Sequence, residues 1–240
     1  MYPTSEPTAV LEAGGRSQRP GVSLRTAAIV AGLGLLVMSV LAFASFSAFD
    51  SLVVEGDAAT TARNIADHEL RFRLIVCGYV LVAALDVAVA WALYVLLRPV
   101  DRSIALLAAW LRVAYAAVFA AATSNLLVAV GLLTGPDPRS AQAMVSLRQF
   151  QDQWDVGLAI FGLHLLVLGY LLVRSSDVPS VLGILVTIAS LGYLVDSFGA
   201  FLSGSYDANV AMFTFAGEVL LMVWLLWRGG RSVRRVPDQR

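Results

Sequence analysis

Six long apolar stretches separated by short polar segments run through most of the chain, at residues 27–49, 74–97, 103–133, 156–173, 181–202 and 208–227. A helix rises about 1.5 Å per residue, so about 20 apolar residues cross the ~30 Å hydrocarbon core of a bilayer. Each stretch therefore predicts a spanning helix. The pattern as a whole predicts an all-α, polytopic transmembrane bundle at residues 27–228. Residues 1–26 carry Pro3, Pro7, Pro20 and the Gly14-Gly15 pair and read as a disordered tail, while 229–240 read as a basic tail. The first stretch is much longer than the 7–15 apolar residues of a signal peptide, so it reads as a retained helix.

Polar segments at the opposite end of the spans also carry pattern. Asp57 is placed to cap a short helix from Ala58 to about Leu70, with Ala58, Ala62, Ile65 and Ala66 on one face. Ser140 to Gln153 predicts a second one, entered by the turn-forming Gly135-Pro136-Asp137-Pro138. Both read as short interfacial helices shielding the mouth of the bundle; a lid over a site is the alternative.

Arginine placement sets the orientation. All 17 basic residues are arginine. The segments that would lie on the side of the termini hold Arg16, Arg19, Arg25, Arg98, Arg102, Arg174, Arg228, Arg231, Arg234, Arg235 and Arg240. The opposite segments hold Arg63, Arg71, Arg73, Arg139 and Arg148. The positive-inside rule then puts both termini in the cytoplasm. Tyr94, Tyr170, Trp224 and Trp227 fall near those ends, as an interfacial aromatic belt does.

Composition narrows the classes further. Apolar residues make up 58% and charged residues 14% of the chain, against about 25% charged in soluble domains, which excludes a soluble enzyme and a nucleic-acid binder. The single Cys77 excludes an intrachain disulfide framework, and two histidines cannot build a three-His zinc site in one chain. No Gly-rich phosphate loop or His-Glu-x-x-His pattern occurs, so no metal ligand set and no cofactor is assigned. The arginines from Arg228 to Arg240 read as a topology anchor beside anionic lipid.

Five ionisable residues lie inside the apolar stretches: Asp86, Arg112, His164, Asp196 and Glu218. Each costs about 2.5–3.5 kcal/mol at a span centre and so calls for an explanation. Counted from the helix ends opposite the termini, Asp196 lies about 9 Å deep, His164 about 12 Å, Glu218 about 15 Å and Asp86 about 18 Å. Arg112 lies roughly 13 Å along its own helix from the other end, near the midplane. These depths predict a buried ion pair, Asp86 with Arg112, and one polar site of His164, Asp196 and Glu218 opening away from the termini. Three acids, one arginine and a neutral His164 carry an excess of negative charge, which a proton, a cation or a charged His164 must balance. His68 lies among Asp67, Glu69 and Arg71 and reads as solvated.

Several landmarks resemble a bacterial six-helix membrane family. They are Val54-Glu55-Gly56-Asp57-Ala58-Ala59-Thr60-Thr61-Ala62-Arg63-Asn64-Ile65, Leu85-Asp86-Val87-Ala88, Ala92 to Val100, Gly162-Leu163-His164, Gly192 to Phe198, and Gly217-Glu218. The family is catalogued as domain of unknown function 4386. The resemblance implies a multi-pass protein of the bacterial cytoplasmic (inner) membrane and supplies no reaction.

Three functions fit these residues. The first is a carrier or sensor for a proton, a cation or a small polar or lipid head group; six spans would then call for a homo-oligomer or internal repeats. A faint echo between Tyr94-x3-Arg98-x2-Asp101 and Tyr170-x3-Arg174-x2-Asp177 is the one hint of a repeat. The second is an intramembrane enzyme acting on lipid, with His164 as base, Asp196 orienting it and Glu218 as acid or metal ligand. The third is a non-catalytic subunit whose small-residue faces dock on a partner.

Overall fold

The computed structural model describes residues 22–54 and 56–230. The N-terminal tail to residue 21 and the basic tail from 231 lie outside the described residues. Eight helices follow in order: α1 (Leu24–Asp50), α2 (Ala58–Asp67), α3 (Glu69–Leu97), α4 (Arg102–Thr134), α5 (Ser140–Arg174), α6 (Ser180–Leu202), α7 (Ala211–Thr214) and α8 (Ala216–Gly230). Six segments are long and apolar enough to cross a membrane, the last formed by α7 and α8 together. Among the described residues there is no strand. The fold is an all-helical bundle of an integral membrane protein.

The spans form a ring. Each packs on its neighbour in sequence, α1 on α3, α3 on α4, α4 on α5, α5 on α6 and α6 on α8, and α8 closes the circle on α1. Short connections enforce this order, because antiparallel neighbours need only a few linking residues. Asp101 shows how one such turn ends: its carboxylate accepts from the Ile104 N–H at 3.0 Å and starts α4. Alternation over six spans brings the first and last helices together at one end, where Arg25 Nε donates to the Gly229 carbonyl at 3.0 Å. We call this the termini end, and the other the α2 end.

Close helix contacts rest on glycine. A Cβ added at Gly217 would sit 2.5 Å from the Leu185 carbonyl, so α8 can lie on the α6 backbone only because that atom is missing. Ser190, fully buried in α6, donates to the Gly162 carbonyl of α5 at 2.8 Å. Such contacts matter in lipid, where acyl chains are as apolar as leucine and burial alone does not hold helices together.

Two segments at the α2 end differ in fate. Asp57 caps α2, with its carboxylate accepting from the Thr60 N–H at 2.9 Å and the Thr60 hydroxyl at 2.7 Å. Thr60 holds the Asp57 carboxyl below the usual carboxylate range through those two bonds, and Arg63 adds to the effect. The helix then stops at Asp67 and Glu69 begins the long α3, so it is shorter than the pattern to Leu70 suggests. Ile65 is fully buried, and α2 packs on α3, α4 and α5. Residues 140–153, expected as a separate interfacial helix, are instead the first turns of α5. The stretch Gln153-Trp154-Asp155-Val156 contains no glycine or proline to break it.

Candidate functional site: an acidic, aromatic cavity inside the ring

A cavity of about 1200 Å³ lies within the ring, lined by all six spans. Its charged residues come from different elements: Asp86 from α3, Arg112 from α4, Asp155 from α5, Asp196 from α6, Asp207 from the α6–α7 connection and Glu218 from α8. Aromatic rings cover much of the rest. Phe119 meets Trp154 at 4.4 Å between ring centroids, and Phe46 meets Trp154 at 4.9 Å and Tyr79 at 5.3 Å. These rings are nearer the α2 end than Asp86 and Arg112, as the helix directions require.

Arg112 is the hub of the charged layer. Its Nη2 lies 2.7 Å from Asp86 Oδ1, with both residues almost completely buried, at 2% and 0% exposure. The approach is close but poorly angled, so it is an ion pair, and neither carboxylate oxygen receives a well-formed hydrogen bond. On its other side, Arg112 Nη1 reaches His164 Nε2 at 3.3 Å. His164 Nδ1 in turn bonds the Ala108 carbonyl at 2.8 Å. A carbonyl only accepts, so the proton belongs on Nδ1 and Nε2 presents its lone pair to the guanidinium. The Phe161 ring packs against both, 5.4 Å from the guanidinium carbon and 5.7 Å from the imidazole. Asp86, Arg112 and His164 thus tie α3, α4 and α5 together.

The sequence expectation joined His164 to Asp196 and Glu218, and here the structure differs. His164 belongs to the Arg112 layer and does not line the cavity. Asp196 is held elsewhere. Its Oδ1 accepts from the Tyr206 hydroxyl at 2.6 Å and the Val210 N–H at 2.9 Å, and its Oδ2 accepts from the Ala211 N–H at 2.7 Å. The α6–α7 connection folds back over the end of α6, and Asp196 receives the free N–H groups that open the last span. Its hydrogen bond and nearby charge push the Tyr206 hydroxyl up to about 12. Asp196 and Glu218 do share the cavity wall.

Glu218 stands apart from these two solutions. It lies in the first turn of α8, just after the helix break at Phe215. The Tyr193 hydroxyl, from α6, comes close enough on one side to act on the Glu218 charge, while Glu218 Oε1 is shielded from solvent and has no partner. The other buried polar side-chain atoms without a hydrogen-bond partner, among the described residues, are Tyr79 Oη, Asp86 Oδ1 and Oδ2, Arg112 Nε and Ser197 Oγ. Every one of these residues lines the same cavity. Buried polar groups are otherwise almost always paired, so their convergence on one cavity makes it the candidate site.

Tyr79, Trp154, Tyr193, Ser197 and Tyr206 were not singled out from the sequence. A signal existed for three of them. Tyr79 precedes Asp86 by seven residues, Tyr193 precedes Asp196 by three, and Ser197 follows Tyr193 by four, all spacings that share one helix face. Among the described residues, no group of three His, Cys, Asp or Glu side chains is arranged to hold a metal ion.

The ring of six apolar spans around a polar cavity defines a multi-pass membrane protein. Residues 30–229 match the family described as Domain of unknown function (DUF4386), and the chain belongs to that family. A relative named only as an uncharacterized protein, from the archaeon Archaeoglobus fulgidus, is 37% identical over 154 residues, covering 64% of this chain and 83% of that protein. No solved structure matches the chain.

Proposed function

We propose that the protein is a membrane carrier or sensor whose cavity binds a proton or a cation at Glu218. One observation carries the reading: among the cavity-lining acids with a carboxylate oxygen shielded from solvent, Glu218 alone has neither a cation nor helix-opening N–H groups assigned to it. Asp86 has Arg112, and Asp196 has Tyr206 and two backbone N–H groups. A carboxylate shielded from water by protein needs a proton or a positive partner, and here the remaining partner is a ligand.

The lipid-acting enzyme is less well supported, because both ring nitrogens of His164 are engaged and the ring does not line the cavity. A docking subunit is also less well supported. The small-residue faces around Gly157, Gly192 and Gly199 meet Tyr115, Thr214 and Tyr206 of the same chain. We place the protein in the cytoplasmic membrane with both termini inside, on the strength of the arginine distribution.

Infrared difference spectroscopy of the reconstituted protein tests the site. A protonated-carboxyl band that fades as pH rises, is missing in Glu218→Gln and persists in Asp196→Asn is the expected result. Spectra of wild type and Glu218→Gln that match across the pH range overturn the reading.

A further inference from the structure

The cavity is too large and too aromatic for a bare proton or metal ion alone. It holds about 1200 Å³, the volume of a drug-sized ligand and more. Phe46, Tyr79, Tyr115, Phe119, Trp154 and Tyr193 present rings along its wall, beside Glu218. Aromatic faces attract cations through their negative quadrupole, and a cage of them with one acid is the recurring solution for an organic ammonium group. An inorganic cation would instead call for several donors at close range, and among the described residues no group of three His, Cys, Asp or Glu side chains is arranged to hold one. Arg112 does not cancel this preference, since its charge is matched by Asp86 and its guanidinium is packed on Phe161.

The route into the cavity points to the lipid. At the termini end α1 and α8 meet closely, where a Cβ added at Gly32 would sit 3.0 Å from Leu226 and one at Gly229 would sit 2.6 Å from Ile29. Nearer the α2 end the two helices part. Phe43 of α1 and Met212 of α7 both line the cavity and are 79% and 63% exposed. Two large apolar side chains so exposed beside the cavity point to an opening on the flank of the ring between α1 and α7. In a bilayer that flank faces acyl chains, the phase in which hydrophobic cations accumulate.

Resting on the reading of Glu218 as the cation-binding group, we propose that the cavity takes lipid-soluble organic cations, an amine or quaternary onium centre carrying apolar groups. Its positive centre lies against Glu218 and the rings, and its apolar groups fill the remainder toward the gap between α1 and α7. The unpartnered Tyr79 and Ser197 hydroxyls supply polar contacts for a ligand bearing a hydrogen-bonding group.

Tetraphenylphosphonium and tetraphenylborate share shape and hydrophobicity and differ in sign of charge. Equilibrium binding of both to the protein in phosphatidylcholine nanodiscs, with empty nanodiscs as blank, tests the proposal. Tetraphenylphosphonium should bind saturably and tetraphenylborate should not exceed the blank. Dodecyltrimethylammonium should displace the phosphonium, and tetramethylammonium should not at the same concentration. Glu218→Gln, checked for wild-type circular dichroism, should weaken phosphonium binding about tenfold or more. Equal binding of the two ions, equal competition by the two ammonium compounds, or unchanged affinity in a folded Glu218→Gln each overturns the proposal. The charge comparison uses the wild-type protein, so it decides the matter even where the variant fails to fold. A Glu218-dependent carboxyl band without phosphonium binding defeats this inference alone; loss of both defeats the reading of Glu218 as well.

Discussion

Arg112 is held from two sides, and His164 is the side that sequence depth did not reveal: the imidazole nitrogen lies 3.3 Å from the guanidinium while its other nitrogen is anchored on Ala108. The pair fixes the arginine's direction as well as its charge balance. His164→Leu leaves the Arg112 Nη1 without its acceptor in a site where the histidine is 1% exposed. A buried donor stripped of its partner costs about 1–3 kcal/mol. Thermal unfolding in detergent should show that loss. His164→Gln, if its amide oxygen reaches Arg112, should recover part of it.

Removing one member of the ion pair should cost more than removing both. Asp86→Leu leaves a buried guanidinium without a counter-charge, a change worth about 3–5 kcal/mol in comparable pairs. Asp86→Leu combined with Arg112→Leu should unfold at a higher temperature than Asp86→Leu alone. Equal midpoints for the single and double variants would show that the charges are not energetically coupled.

Gly217 sets how closely the last span approaches α6. A leucine there must push α8 away from the Leu185 backbone, at a cost of about 1–3 kcal/mol or more. Folded yield and thermal midpoint should fall together. Gly131 makes the control, since a Cβ there meets nothing within 4 Å. Gly131→Ala, inside α4, should lower neither measurement and should raise the midpoint slightly.

Tyr206 reports on Asp196 from outside the spans. Its hydroxyl should ionise near 12, and Asp196→Asn should bring it back toward the ordinary 10.0. Because the folded value is raised, the contact contributes fully below the unfolded value, and its contribution is lost as pH rises through about 12. Tyrosinate absorbance, with Tyr206→Phe subtracted to isolate this residue, measures the shift. Asp57 has the opposite sign: its lowered value means that the α2 cap contributes above the unfolded carboxylate range and is lost as pH falls through the folded value.

The number of spans was legible because a bilayer imposes a simple length rule on apolar runs. Helix ends were less so. Glu69-to-Arg73 and Ser140-to-Gln153 are polar by composition, yet both continue spanning helices past the apolar run, since an uninterrupted backbone ladder satisfies its own polar groups. Depth along each helix could be counted, which put Asp86 and Arg112 at one level. Direction around the axis could not be counted without knowing the order of the ring. His164 consequently faces α4, with Phe161 beside it, while Asp196 meets a connection whose return over α6 no periodicity describes. Orientation across the membrane rests on the arginines. A reporter fused after Arg240 should be cytoplasmic, and a periplasmic reporter would reverse the assignment.

Closure of the ring by its first and last spans has a consequence during synthesis. The strap of Asp86, Arg112 and His164 joins three consecutive helices, so it can assemble before the final span exists. Glu218 arrives only with α8, which also brings the second wall against α1. The chain thus neutralises its buried arginine early and installs its unmatched acid last, when the compartment that would hold a ligand is being sealed. A nascent protein lacking its sixth span is an open trough without Glu218, so the proposed binding would begin only once α8 is in place.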